Sequence, residues 1–242
     1  MKKNVLLYLA MFIITSCKTA DKRIVPACDS SPLPDGAKIW SADIDKNMKS
    51  LINPPPNIPL LSRFLLWRAE KEFEKELVPG RILTWSTDIG IGSGFLEMFI
   101  EKGAAKILPA RLIYLLRMQV SCYVGSAFAM DVNSYKYKDY NITEEEISAI
   151  QGKKTLDKVK TFSEREKVAL RYAIAISRTP VSFEGSLMTD LRRLFSEKEI
   201  VAISTMSAKV NYWARLIEAW RVKPAGYTND PILEINRYNS FE

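Results

Sequence analysis

The apolar positions change rhythm along the chain. Val5 to Ile14 form an unbroken apolar run behind Lys2 and Lys3, too short to span a bilayer as a helix. From residue 18 to about 58 no period is sustained. That stretch holds Pro32, Pro34, Gly36 and the run Asn53, Pro54, Pro55, Pro56, Asn57, Ile58, Pro59, and reads as a tether, partly polyproline II. From Leu60 the pattern turns helical. Leu61, Phe64, Leu65, Ala69, Phe73 and Leu77 recur at helical spacing, and Pro79 with Gly80 is expected to stop that helix.

Further on, Thr143 with Glu146, Ser163 with Glu166, and Ser196 with Glu199 have the capping-box form, in which a hydroxyl residue precedes Glu by three positions. Each marks a helix start. Ile147 to Ile150, Val168 to Ile176 and a long stretch to about Trp220 follow them. In the last helix Ile203, Met206, Val210, Trp213, Ile217 and Trp220 alternate spacings of three and four, a seam that suits either the core face of a packed helix or a subunit interface. No alternating strand pattern and no solenoid repeat are found, so the expected fold class is all-α.

Composition narrows the chemistry. The 242 residues are 47% hydrophobic and 26% charged, enough apolar material for a real core. There is no histidine, which removes every mechanism that needs imidazole as base, relay or metal ligand. The formal charge of +7 falls when residues 1–16, with two lysines and no acid, are removed. No basic stripe is interleaved with exposed aromatics, so no nucleic-acid partner is expected. Gly90, Gly92 and Gly94 lack the following Lys and hydroxyl residue of a phosphate loop. No cofactor or metal set is read.

Ile14, Thr15, Ser16 and Cys17 close the leader and resemble the lipobox of bacterial lipoproteins, in which the cysteine is acylated and becomes the new N-terminus. The resemblance implies a signal peptide over 1–16, lipid attachment at Cys17 and a membrane-anchored protein of the bacterial cell envelope. Lys18, Lys22 and Arg23 just after it would favour anionic headgroups. Cys28 and Cys122 are left as a disulfide pair or, for Cys122 in its apolar helical pattern, a buried inert thiol.

Leu108, Pro109, Ala110, Arg111 and Leu112 open a helical stretch, and Val124 to Ser134 close it. With Phe162 to Tyr172, then Thr179, Pro180 and Val181, Leu191 to Val201, and Asn211, Ala214 and Arg215, this order resembles the carboxymuconolactone decarboxylase and alkylhydroperoxidase-D-like family. The resemblance spans residues 59–228, leaving 17–58 as tether and 229–242 as C-terminal tail. It implies an all-α, alkylhydroperoxidase-D-like helical domain that forms homo-oligomers.

The family's site uses a Glu, two cysteines three apart at a helix start, and a His, which together make a peroxide-attacking thiolate. Here Tyr114 stands at the Glu position, Ser126 and Ala129 at the cysteines, and Asn133 at the His. The thiol peroxidase parts are therefore absent. Asp131 is a candidate general base beside Tyr114, or else a helix-terminal charge or cap partner. Asn211 and Arg215, four apart, are expected to make a structural polar contact.

Three readings follow. The first is a non-catalytic, lipid-anchored binding or scaffold module for an unknown small ligand. The second is an enzyme running proton transfer or a lyase reaction through Asp131 and Tyr114. The third is a thiol redox protein that uses Cys122.

Overall fold

The computed structural model describes residues 50–233, and the structural statements below concern these. The leader, Cys17, Cys28, most of the expected tether and residues 234–242 lie outside them. The order of elements is α1 (Leu60–Phe73), α2 (Val78–Ile82), α3 (Thr87–Ala104), α4 (Ala110–Val124), α5 (Ala127–Asn133), α6 (Glu144–Ile150), α7 (Glu164–Ser177), α8 (Leu187–Leu194) and α9 (Glu197–Ala219). Short 3₁₀ turns occur at Leu83–Trp85, Tyr137–Tyr140, Leu156–Lys158 and Pro231–Leu233. Among the described residues there is no strand, and the all-α class holds.

The interior is organised around α4, which is apolar on nearly every side as a central helix must be. Leu112, Leu116 and Val120 meet Val168 and Ala173 of α7 and Ile203, Met206 and Val210 of α9. Leu115 and Met118 point the other way, to Ile147, Ile150, Phe162 and Leu170. A third cluster joins Ile82, Phe128, Ile217, Val222 and Tyr227. The seam of α9 is thus a core face. Ile203, Met206, Val210 and Ile217 are buried, and Trp213 and Trp220 lie half-buried against the third cluster.

All three capping boxes form as the sequence predicts. In each, one carboxylate oxygen accepts the N-cap N–H, at 2.9 Å for Thr143, 2.8 Å for Ser163 and 2.9 Å for Ser196. The other oxygen goes to an arginine. Arg111 reaches Glu146 at 2.5 Å and Glu166 at 2.8 Å, and also donates to the Asn141 carbonyl at 2.6 Å. Arg165 holds Glu199 at 2.6 Å. One side chain of α4 therefore ties the starts of α6 and α7 together.

Several expected boundaries shift. α1 ends at Phe73 because Glu74 turns left-handed (φ 55°), and Pro79 lies inside the first turn of α2, where a missing N–H is harmless. Gly80 marks a crossing rather than a stop, since a Cβ there would stand 2.9 Å from Leu66 Cδ2. The Gly90 to Gly94 segment is helical within α3. The tether expected to run to residue 58 is docked at its end: Leu51 N–H donates to the Trp220 carbonyl at 2.9 Å, and Trp85 Nε1 to the Asn53 carbonyl at 2.8 Å. The tail expected from residue 229 also begins inside packed structure, because Leu233 is buried in the second cluster and its carbonyl accepts from Gln151.

Glu146 is fully buried, so removing its arginine would strand a charge. Arg111→Met should lower the unfolding free energy by about 3–5 kcal/mol in urea denaturation. Arg111→Lys should recover only part, because one ammonium does not reproduce the guanidinium fork.

Candidate functional site

The four family-site positions fall on α4 and α5, consecutive helices joined at Gly125, whose φ of 88° turns the chain between them. Tyr114 is stacked between two neighbours. The Tyr140 ring lies 3.8 Å from it, centroid to centroid, and the Arg117 guanidinium carbon lies 5.2 Å from its centroid. Arg117 Nε donates to Asn133 Oδ1 at 2.9 Å, and Asn133 Nδ2 donates to Ser121 Oγ at 2.8 Å. Ser121 in turn donates to the Arg117 carbonyl at 2.7 Å. Two of the four positions, Tyr114 and Asn133, are therefore brought together by Arg117.

Ser126 and Ala129 have a different role. Ser126 is the N-cap of α5, and its Oγ accepts the Ala129 N–H at 3.2 Å. Both residues are about 1% exposed. The two positions that the resemblance aligns with a reactive pair form here a closed helix cap.

From Arg117 a chain of charges runs into the core. Arg117 Nη1 lies 3.5 Å from Glu101, and Lys209 Nζ lies 2.6 Å from Glu101 and 2.8 Å from Glu97. Trp213 Nε1 donates to the second oxygen of Glu97 at 2.8 Å. Two cations face two carboxylates, so Lys209 at 3% exposure is buried together with partners of opposite charge. Burial pushes the Glu101 pKa up, but the charges of Arg117 and Lys209 outweigh it and hold the carboxyl below its ordinary value.

Pattern reading misses these partners. Glu97 and Glu101 stand four apart on α3, Arg117 one turn after Tyr114, and Lys209 is the only charged residue between Glu199 and Arg215. That isolated lysine beside the apolar seam is the usable signal.

Asp131 is fully buried, and both its oxygens are engaged. Oδ2 accepts the Gly226 N–H at 2.7 Å and Oδ1 the Thr228 N–H at 2.9 Å. It anchors the segment after α9, while Tyr114 is engaged with Tyr140 and Arg117. Burial, followed by the nearby charges of Asp131 and Glu70, raises the Tyr227 phenol pKa. Asn211 and Arg215 do meet a common partner, since Asn211 Nδ2 donates to Ser177 Oγ at 2.7 Å and Arg215 to the Ser177 carbonyl at 3.1 Å. Cys122 is a free thiol whose pKa burial pushes up to about 12. Among the described residues no group of acidic and thiol side chains could hold a metal ion.

The comparisons bear on the fold. No family model and no curated protein matches the chain. A cysteine-to-alanine variant of the debrominase Bmp8, in complex with 2,3,4-tribromopyrrole, superposes with a TM-score of 0.63 at 19% identity, over 74% of this chain and 94% of that one. Apo Bmp8 gives the same TM-score of 0.63 at 17% identity, over 74% and 92%. A protein of unknown function from Agrobacterium tumefaciens, described in terms of AhpD-type antioxidant defence, is 22% identical over 55% of this chain and 88% of that one, with a TM-score of 0.47. The chain has the helical fold of Bmp8.

The depressed Glu101 pKa carries a pH dependence. A carboxyl held below its unfolded value of about 4.3 stabilises the fold fully above that value and loses this contribution as pH falls through the folded one. Thermal unfolding should therefore show wild type losing more of its midpoint than Glu101→Gln between neutral pH and about pH 3.

Proposed function

We propose that this chain is a lipid-anchored cell-envelope protein whose helical domain serves as a non-catalytic binding or scaffold module. The observation that carries the reading is the closed cap at Ser126 and Ala129. A hydroxyl engaged with a backbone N–H and a methyl group, both buried, offer no nucleophile and no disulfide. Cys122 has no disulfide partner among the described residues and packs partly buried against the second cluster, where desolvation disfavours its thiolate, which speaks against the thiol redox alternative. Anchoring at Cys17 rests on the leader sequence, and the unknown small ligand on the family resemblance.

Self-association is part of the same proposal. Since the α9 seam is occupied by the core, the surface assigned to a second copy is the outer row of Phe95, Leu96 and Phe99 on α3, one of several exposed apolar stretches, with the two phenyl rings 5.7 Å apart.

An enzymatic reading has one observation in its favour, the fold shared with a debrominase. On that reading the polar cluster of Tyr114, Arg117 and Asn133 would act on a small cyclic substrate, without Asp131 as base, since both its oxygens are held by the Gly226 and Thr228 N–H groups. A panel of a bromopyrrole, a lactone, a quinone and a hydroperoxide separates the two, with no turnover expected.

With a dithiol reductant, hydroperoxide consumption by the wild type should stay at background and be unchanged by Cys122→Ala. A maleimide should label the half-buried Cys122 slowly in the folded protein and much faster after denaturation. Intact mass should show an acylated Cys17 as the first residue, with membrane retention weakened in Cys17→Ala. Light scattering should return more than the monomer mass, and Phe99→Glu should reduce it.

A further inference from the structure

α1 presents its apolar side outward. Ser62, Leu66, Ala69 and Glu70 lie toward the domain, whereas Leu60, Leu61, Phe64, Leu65 and Trp67 are exposed, Leu60 at 80% and Phe64 at 58%. A helix on the surface of a globular domain ordinarily does the reverse. Polar bonds fix this rotation: Glu70 accepts from Arg81 Nε at 2.7 Å, from Arg81 Nη2 at 2.9 Å and from the Leu77 N–H at 2.9 Å. Rolling the helix to hide its leucines would break all three.

From Leu60 to Lys71 the exposed charge is of one sign, and Glu72 and Glu74 follow only at the helix end. Arg63, Arg68 and Lys71 are exposed, while Glu70, the one acid between Leu60 and Lys71, is turned inward. Trp67 stacks on Phe64 with ring centroids 6.0 Å apart, and Lys71 Nζ lies 5.5 Å from the Trp67 centroid. Leucines and phenylalanine beside tryptophan and cations suit the boundary between acyl chains and anionic headgroups. A symmetric contact with a second copy would instead bring like charges toward one another. Among the described residues no helix is long and apolar enough to cross a membrane, so such a contact is with the surface.

We infer that α1 is a bilayer-docking helix, which lays Leu60, Leu61, Phe64 and Trp67 into an anionic membrane surface while Arg63, Arg68 and Lys71 meet lipid phosphates. The inference rests on the envelope reading for what brings the domain to a membrane, since α1 directly follows the tether from Cys17. A second contact of this kind would convert a single lipid attachment into stable anchoring and set the domain's orientation.

The test uses the mature chain, residues 17–242, with Cys17→Ser so that no acyl group contributes. It should sediment with phosphatidylcholine vesicles containing phosphatidylglycerol and bind pure phosphatidylcholine more weakly. Leu61→Glu with Phe64→Glu should weaken binding to the anionic vesicles about tenfold or more, with the circular-dichroism melt unchanged. Should that pair disturb folding, Arg68→Glu with Lys71→Glu, both at exposed positions, should reduce anionic binding by a similar factor. Absence of vesicle binding by the Cys17→Ser chain, binding indifferent to both double variants, or a solution oligomer that Leu61→Glu with Phe64→Glu dissociates without any vesicle binding would each overturn the inference. An unmodified Cys17 in the intact mass would remove the anchor reading and leave the vesicle result standing.

Discussion

The guanidinium of Arg111 is the constraint on which the arrangement of the helices depends. Capping boxes are local devices, each fixing where one helix begins, and they say nothing of how helices lie together. Because Glu146 and Glu166 each hold one oxygen in reserve, a single arginine on α4 can take both. The planar fork suits this, and the Asn141 carbonyl takes a further donor. The starts of α6 and α7 are thereby set against the central helix before any apolar contact is counted. The ledger for such a clamp is asymmetric: breaking it is costly because Glu146 has no access to water, whereas forming it gains little over two well-packed apolar residues. Its contribution is to fix one arrangement out of several that the same hydrophobic faces would allow.

A second charged array performs the same service around the start of α5. A thiolate at the start of α5 would need an open approach and an unsatisfied helix terminus. Ser126 closes that terminus, and the polar groups around it are spent on one another, Asn133 on Arg117 and Ser121, Glu101 on Arg117 and Lys209. The carboxylates of Glu97 and Glu101 are about a third exposed, while Lys209 is not, so water can relax around the anions but not around the cation. That asymmetry makes the lysine dependent on α3 and holds α3 onto α9. Structural holding and a reactive site compete for the same residues, and in this fold each of these side chains has a structural partner.

What the sequence made legible follows from the range of the interactions involved. Capping boxes and the α9 seam are local patterns, and each appears where the spacing of Ser, Thr, Glu and apolar residues puts it. The ion pairs joining Lys209 to Glu97 and Glu101 span more than a hundred positions, and no periodicity links their ends. Asp131 shows the same limit, because its partners, the N–H groups of Gly226 and Thr228, are backbone atoms that carry no residue signature. The ends of the domain are hard to read for a related reason. Residues 50–58 and 229–233 have tether-like composition, yet Leu51 is held by a long-range hydrogen bond to Trp220, and Leu233 by its burial in the second cluster and a hydrogen bond from Gln151. Helical spacing in α1 gives a helix but not its rotation, since the bonds of Glu70 to Arg81 and Leu77 decide which side faces in.

Those bonds are part of a wider fastening that makes α1 a fixed part of the domain. Just past α1, Lys75 donates to the carbonyls of Ala225 and Gly226, and the Tyr227 hydroxyl donates to the Glu76 carbonyl at 3.0 Å. The same short segment is held from the other side by the buried carboxylate of Asp131 and follows the left-handed turn at Arg221. The segment after α9 thus serves as a bracket, with polar contacts supplied from α5 and from the loop that follows α1. A helix hung on a free hinge could fold its leucines onto any nearby apolar surface, and its exposure would then say little. Fastened at Glu70, Lys75 and Glu76, α1 has one orientation, and its exposed leucines and cations are properties of the fold itself. The surface proposed to meet a bilayer is therefore presented by the same buried carboxylates and backbone bonds that hold the domain together.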